Sequence, residues 1–93
     1  MIGPIEYPIE DSIDLHTFRP PEVRDLVREY LHQAVLKGFQ EVRIIHGRGI
    51  GVQREIVHSI LRTHPDVVLF RDTADHGATV VCLRDPDKPR LKE

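Results

Sequence analysis

The chain has 93 residues, of which 40% are hydrophobic and 30% charged, and its formal net charge is −2. These totals fit one globular domain with a modest core, and they exclude a protein that attracts nucleic acid through its overall charge. The single cysteine cannot form an internal disulfide, and no apolar run approaches the roughly 20 residues of a membrane helix. We therefore expect a cytoplasmic protein.

The first part of the chain predicts an arm, a strand and a helix. Segment 1–11 contains two prolines, which disfavour a central strand, so we expect an extended arm on the domain surface. Residues 12–16, SIDLH, alternate apolar and polar side chains as a half-buried strand does. Pro20 and Pro21 suit the first turn of a helix, whose apolar residues recur at steps of three and four until Gly38.

The second part of the chain predicts three strands and one helix. EVRII (41–45) predicts a strand, and an amphipathic helix is expected over about 52–63. VVLFR (67–71) and ATVVCL (78–83) predict the last two strands, joined by the turn DTADHG. The continuously apolar ATVVCL is typical of a central strand, and a buried, inert thiol is expected for its Cys82.

The predicted order of elements is β-α-β-α-β-β. Because parallel crossovers are right-handed, the economical fold is a two-layer α/β (α+β) sandwich with both helices on one face of a four-stranded mixed sheet. The last hairpin would fold back to give the strand order 1-2-4-3, with the fourth strand antiparallel. We assign this domain to residues 12–84 and expect a frayed, charged tail over 85–93.

The carboxyl ends of the three parallel strands share one edge, where open α/β sheets bind ligands. Asp14 and His16 end the first strand, His46 follows the second, and His76 lies in the turn after the third. We therefore expect these side chains at a common edge. The remaining histidines lie in or near the helices and are expected to be solvated: His32, His58 and His64.

Asp14 and His16 form the first candidate group. They are two residues apart on the predicted strand, so their side chains point to the same face, away from the helices. The carboxylate would orient the imidazole, as in an acid–base pair. An ordinary polar surface is the alternative.

The loop HGRGIG (46–51) places three of the six glycines between a strand and a helix. Glycines let backbone N–H groups turn towards an anion, the start of a helix favours negative charge, and Arg48 could contact a phosphate. The spacing matches neither a P-loop nor a dinucleotide fingerprint. A tight connection is the alternative, but beside the predicted acid–base pair we favour phosphate binding by the backbone of three residues: Gly47, Gly49 and Gly51.

The motifs IDLH, IIHGRGIG and HGATVV, in this order and spacing, resemble the small MutS-related (Smr) domain over roughly residues 12–83. The resemblance implies a βαβαββ fold and a nucleic-acid function. Smr domains are associated with endonuclease activity on DNA, including branched structures, and in some members with RNA cleavage. They occur attached to MutS-type proteins or alone, and this chain is similar to the stand-alone kind.

The leading hypothesis is an endonuclease that acts on structured DNA or RNA. Asp14 and His16 would transfer protons at the phosphodiester, and Arg48 would stabilise the developing charge. His46 would supply a second proton-transfer group or only brace the loop. Cleavage of RNA through its 2′-OH needs no metal, whereas hydrolysis of DNA makes a divalent cation (Mg²⁺ or Mn²⁺) attractive. Further phosphate contacts are expected from Arg19, Arg43, Arg54 and His76.

Two alternatives stay open. A non-catalytic nucleic-acid-binding module would grip phosphates with the same loop, although three Phe, two Tyr and no Trp offer little surface for stacking bases. A metal-dependent hydrolase unrelated to nucleic acid would use Asp14, His16, His46 and His76 as ligands for zinc or manganese, but their spacings match no short metal motif.

Overall fold

The computed structural model describes residues 9–47 and 51–85. Its elements in chain order are β1 (Ser12–Asp14), α1 (Pro20–Leu36), β2 (Glu41–Ile45), α2 (Val52–Thr63), β3 (Val67–Asp72) and β4 (Ala78–Leu83). The predicted order of elements is confirmed. β1 is two residues shorter than expected and β3 one residue longer. The expected tail beyond residue 85 and most of the expected arm lie outside the described residues.

The sheet has the order β1-β2-β4-β3, as predicted. β1 runs parallel to β2, and β4 runs antiparallel to both β2 and β3. The carboxyl ends of β1, β2 and β3 therefore share one edge. The register aligns Asp14 with Ile45 and Ile45 with Ala78, and the pairing of β3 with β4 is irregular between Val67 and Leu69.

The core lies between the helices and one face of the sheet. Alternation along β2 places Val42 and Ile44 on this face, and α1 and α2 bury apolar side chains against them. Burying one such aliphatic side chain stabilises the fold by about 1.5–3 kcal/mol. The fully buried large aliphatic side chains are Leu15, Val23, Val27, Leu31, Val42, Ile44, Val57 and Val81.

The limits of α1 follow from its flanking residues. Prolines at its first two positions lose no hydrogen bond, because those N–H groups have no partner inside the helix. Glu22 accepts a hydrogen bond from the Arg19 backbone N–H at 2.9 Å and places negative charge at the positive end of the helix dipole. Gly38, with φ +86°, ends the helical run. In the described part of the chain, neither helix combines the length and apolar character needed to cross a membrane.

The described end of the predicted arm, residues 9–11, lies on the domain. The Tyr30 hydroxyl donates to the Glu10 carbonyl at 2.7 Å, and the Arg43 N–H donates to the Asp11 carbonyl at 2.9 Å. Burial raises the pKa of the Tyr30 phenol, and the nearby carboxylates of Asp11 and Glu10 raise it further. The hydroxyl therefore remains a proton donor at neutral pH.

The second face of the sheet is not covered by the helices. β2 and β4 contribute alternate residues to this open face: Glu41, Arg43, Ile45, Ala78, Val80 and Cys82. Cys82 is half-buried, so the expectation of a buried thiol is wrong. Its strand is central, as predicted, but its side chain belongs to the open face rather than to the core.

Truncation of a core leucine tests this arrangement. Leu31→Ala should lower the free energy of unfolding by about 2–4 kcal/mol, because it leaves a cavity between α1 and the sheet. Urea denaturation followed by circular dichroism measures this change. Leu36→Ala, on the same helix, is the matched control: Leu36 is 63% exposed whereas Leu31 is 0% exposed, so its effect should stay within about 0.5 kcal/mol. Equal losses in both variants would contradict the assignment of the core.

Candidate active site

Asp14 and His16 form an exposed hydrogen-bonded pair. Oδ1 of Asp14 accepts the backbone N–H of His16 at 3.0 Å and lies 2.9 Å from Nδ1 of its ring. Because a carboxylate only accepts, Nδ1 carries a proton, and Nε2 of the neutral ring presents a lone pair. The side chain of His16 is 73% exposed, and its Nε2 has no hydrogen-bond partner among residues 9–47 and 51–85.

The charge of Asp14 is favoured by its surroundings. The backbone N–H of His16, followed by its imidazole, lowers the pKa of the Asp14 carboxyl below its ordinary value. The carboxylate is therefore ionised at neutral pH, where it fixes the orientation of the His16 ring. The arrangement can deliver a proton acceptor to a ligand at the carboxyl end of β1.

A shallow groove of about 650 Å³ lies on the open face of the sheet. It is lined by Arg43, Ile45, Gly47, Thr73, Ala74, Asp75, Gly77 and Ala78. Asp14 does not line the groove but lies next to it, because it is the register partner of Ile45 on β2. Among the described residues, Arg43 makes no ion pair, so its guanidinium remains available to an anion in the groove.

The turn between β3 and β4 contacts the start of the glycine loop. The N–H groups of His46 and Gly47 donate to the Gly77 carbonyl at 3.1 and 2.8 Å. The left-handed residue of this turn is His76, at φ 62°, and not its glycine, Gly77. Gly47 itself adopts φ +84°, a conformation that favours glycine.

A second polar group, which we call the buried cluster, lies on the helix side of the sheet. It consists of His46, Arg54, His58, Asp72 and Thr79. Nε2 of His46 lies 2.9 Å from Oγ1 of Thr79, and that hydroxyl donates to Oδ1 of Asp72 at 2.8 Å. Nε2 of His58 lies 2.9 Å from the same oxygen, and Nε of Arg54 donates to Oδ2 of Asp72 at 2.7 Å.

Asp72 is ionised within the buried cluster. Its burial by itself raises the pKa of the carboxyl, but hydrogen bonds from Arg54, Thr79 and His58 outweigh this effect and hold the pKa well below its usual range. The carboxylate is thus compensated by a guanidinium and two further polar side chains. This compensation allows a charge to be placed beneath α2 at the border of the core.

The structure brings Asp14, His16 and Gly47 to one edge but separates His46 from the acid–base pair. Asp14 is aligned with Ile45 on the open face, whereas His46, the next residue, is only 8% exposed and faces the helices. The expected common edge therefore holds two groups on opposite faces of the sheet.

The remaining predicted residues differ in their surroundings. The expectation that His58 is solvated is wrong, because Asp72 and Thr79 contact it beneath α2. Arg54, expected to bind phosphate, donates to Asp72 instead. Arg19 is exposed just before α1.

Four further predicted residues belong to the glycine loop and the last turn. His76 is exposed, with Nδ1 3.9 Å from Oδ2 of Asp72, and Gly51, at φ +91°, precedes α2. Arg48 and Gly49 lie outside the described residues.

The possible ligand atoms of His46, His58 and Asp72 lie within 4.8 Å of one another, which is close enough for one metal ion to contact all three. These atoms already serve hydrogen bonds within the buried cluster, and Arg54 places a positive charge on the same carboxylate. A metal ion would have to displace those bonds and lie close to the guanidinium. The donor set therefore fits a hydrogen-bonded cluster better than a cation site, and it differs from the ligand set considered from the sequence.

A family model of the Smr domain matches residues 13–84. The chain belongs to the Smr domain family. The match includes both the exposed pair at the end of β1 and every member of the buried cluster. The predicted family and fold are thereby confirmed.

Relatives of this Smr domain include longer proteins. It is 40% identical over 81 residues to Endonuclease MutS2 of Caldicellulosiruptor bescii, covering 83% of this chain and 10% of that protein. It is 43% identical over 60 residues to Endonuclease MutS2 of Helicobacter pylori, covering 64% of this chain and 8% of that protein. The chain thus spans about a tenth of the length of these curated relatives.

Two solved structures share the fold of this Smr domain. The crystal structure of the Smr domain of Thermus thermophilus MutS2 has a TM-score of 0.76 and 32% sequence identity, covering 81% of this chain and 99% of that chain. The crystal structure of YdaL, a stand-alone small MutS-related protein from Escherichia coli, has a TM-score of 0.75 and 30% identity, covering 85% of this chain and 68% of that chain.

Three members of the buried cluster in this Smr domain were missed from the sequence: His58, Asp72 and Thr79. One signal was present. Asp72 directly follows the apolar third strand, and Thr79 is the single hydroxyl residue in ATVVCL. Because Asp72 pairs with Thr79 across the last hairpin, the hairpin register could have suggested their contact.

Replacement of Asp72 tests the cluster through the pH dependence of stability. Asp72→Asn should lower the free energy of unfolding at pH 7 by about 2–3 kcal/mol, because it removes a charged hydrogen-bond acceptor. The folded-state pKa of Asp72 lies below its unfolded value of about 3.9, so this stabilisation is present above pH 4 and is lost as pH falls further. Urea denaturation between pH 2.5 and 7 measures the difference.

The control for this prediction is Asp25→Asn, which changes an exposed carboxylate on α1. It should change the unfolding free energy by less than about 0.5 kcal/mol at pH 7. A difference between wild type and Asp72→Asn that stays constant down to pH 2.5 would refute the assigned role of the Asp72 charge.

Proposed function

We propose that this Smr domain is a nucleic-acid-binding endonuclease in which Asp14 and His16 perform the proton transfers at the scissile phosphodiester. The observation that carries the proposal is the 2.9 Å contact between Oδ1 of Asp14 and Nδ1 of an exposed His16. The name of the relatives, Endonuclease MutS2, supports the same reaction class. Since the chain spans about a tenth of those proteins, cleavage by this domain is itself part of the proposal.

The proposed chemistry uses the two ring nitrogens of His16 differently. Asp14 holds Nδ1 as a donor, so Nε2 is free to accept a proton from the attacking nucleophile. In RNA this nucleophile is the 2′-OH, which becomes bonded to phosphorus as the 5′ oxygen leaves. In DNA it is water, and a divalent ion bound with the substrate would assist that route. The protonated ring then returns the proton to the leaving oxygen.

Phosphate binding is assigned to the groove and to the glycine loop. Arg43 lines the groove that Asp14 borders, and it has no ion-pair partner among the described residues. Gly51 precedes the amino end of α2, where the helix dipole favours an anion. We retain Arg48 and Gly49 as loop contacts on the basis of the sequence. Arg54 donates a hydrogen bond to Asp72, so we do not assign it the phosphate contact that was expected from the sequence.

Variants of the exposed pair test cleavage. His16→Ala and Asp14→Asn should each lower the rate of strand cleavage by about 10²-fold or more, since one removes the proton acceptor and the other its orientation. The assay uses labelled branched DNA, duplex DNA and structured RNA, each with Mg²⁺, with Mn²⁺ and with EDTA. Cleavage of RNA in EDTA identifies the 2′-OH route, whereas cleavage only with a cation identifies a metal-assisted route.

The matched control is His32→Ala, which removes an exposed imidazole from α1. It should cut at the wild-type rate. Retention of that rate by His16→Ala would reject the assignment. Binding of the same substrates without any cleaved product, in wild type as well as in the variants, would instead support the non-catalytic binding module.

A substitution in the groove tests the binding surface. In the His16→Ala background, Arg43→Ala should weaken binding to the cleavable substrate about 3–10-fold and lower the salt slope of log K by about one, because one phosphate contact is lost. Fluorescence anisotropy at several salt concentrations measures both quantities. Arg28→Ala, which removes an exposed arginine from α1, should change neither. Equal effects of the two variants would place the substrate elsewhere.

A further inference from the structure

Three contacts in the buried cluster and its neighbour Gly47 compete for hydrogens. Oγ1 of Thr79 lies 2.8 Å from Oδ1 of Asp72, and Nε2 of His46 lies 2.9 Å from Oγ1 of Thr79. On the other side of the ring, Nδ1 of His46 lies 3.1 Å from the carbonyl oxygen of Gly47. Each contact needs one hydrogen, but a Thr hydroxyl and a neutral imidazole together carry only two.

The chemistry of the acceptors decides where the hydrogens lie. The ionised carboxylate of Asp72 can only accept, so the hydroxyl of Thr79 donates to it. Thr79 must then accept from Nε2–H of His46. The carbonyl of Gly47 also only accepts, so Nδ1 must carry a hydrogen as well. All three contacts are therefore satisfied together only when His46 is an imidazolium.

The other charged and titratable groups around this chain of contacts do not supply the missing hydrogen. Nε2 of His58 is directed to Oδ1 of Asp72 at 2.9 Å and is further, 3.3 Å, from Thr79. Arg54 is held by the second carboxylate oxygen, and His76 approaches only that same oxygen, at 3.9 Å. Among the described residues, only a second proton on His46 can supply the third hydrogen.

We propose that Thr79 is a positioning residue for Gly47, the first glycine of the loop. Because Nε2 of His46 must donate its hydrogen to Thr79, Nδ1 can donate to the Gly47 carbonyl only when the ring carries a second proton. The carbonyl that receives this proton belongs to a residue at φ +84° that lines the groove. If the loop binds phosphate, as the proposed function holds, protonation of His46 and anion binding favour each other. His46 then braces the loop rather than transferring a proton to the substrate.

The deciding variant is Thr79→Val, which keeps the shape of the side chain but removes its oxygen. Nε2 of His46 is then released, and a neutral ring can donate from Nδ1 to Gly47 without a second proton. Long-range ¹H–¹⁵N NMR of the ligand-free protein should show this change between pH 5.5 and 8. In wild type, loss of one ring proton should move the Gly47 amide signal. In Thr79→Val, the neutral ring should be the Nδ1–H tautomer and the Gly47 signal should stay in place.

A binding measurement extends the test to the loop, with a phosphorothioate oligonucleotide as the non-cleavable probe. Wild type should gain about tenfold more affinity between pH 8 and pH 5.5 than Thr79→Val, which corresponds to one charge-assisted hydrogen bond. His16 and His76 are present in both proteins, so their contributions to binding cancel in the comparison. Thr63→Val, which removes a hydroxyl at the end of α2, should behave as wild type.

Two further variants keep the test decisive if Thr79→Val does not fold. Thr79→Ser restores the hydroxyl and should restore the wild-type pH response. In Asp72→Asn, the side-chain amide can donate a hydrogen to Oγ1 of Thr79. The Thr79 hydroxyl can then donate to a neutral His46, so the pH response of the Gly47 signal should be lost. A Gly47 signal that is independent of the His46 proton in wild type would overturn the proposal. Failure of every oligonucleotide to bind would instead refute the proposed function, and the NMR result would still decide the role of Thr79.

Discussion

The fold depends on the largely buried carboxylate of Asp72, at which four elements meet. Asp72 ends β3, and its two oxygens receive hydrogen bonds from Thr79 on β4 and from Arg54 and His58 on α2. Thr79 also contacts His46, directly after β2, through a hydrogen bond between its Oγ1 and Nε2 of the ring. A charge at the border of the core is costly unless each oxygen is compensated, so these side chains must lie in a narrow range of positions. That requirement orients α2 relative to the sheet and, with it, the end of the glycine loop that precedes α2.

The alternation of side chains along the strands divides the polar residues at the sheet edge into two groups with different environments. Asp14 and Ile45 share the open face, where water and a ligand can reach them, whereas the neighbouring His46 is covered by the helices. One face is therefore suited to chemistry on a bound molecule and the other to holding the backbone in place. Gly47 connects the two faces of the sheet. Its carbonyl contacts His46 on the helix side, and its N–H donates to the turn that lines the groove on the open face.

Much of the fold could be predicted from local patterns, because hydrophobic periodicity reports which face of each element is buried. The strand order followed from right-handed crossovers and from the apolar character of ATVVCL, and the position of Asp14 and His16 followed from their place at a strand end. The buried cluster could not be predicted in the same way. His58 lies on a helix face that resembles a solvated one, and its contact with Asp72 crosses from helix to sheet. The donor and acceptor roles that define the cluster depend on ångström-scale distances, which periodicity does not contain.

The two outer strands of the sheet have a consequence for the molecule as a whole. β1 is three residues long, and β3 carries an irregularity between Val67 and Leu69. Regular pairing with another strand requires a long row of evenly spaced backbone N–H and C=O groups. Neither edge strand, β1 or β3, provides such a row. Both features disfavour edge-to-edge pairing of two sheets, whereas Val68 and Leu69, which expose apolar surface on β3, favour association at that border.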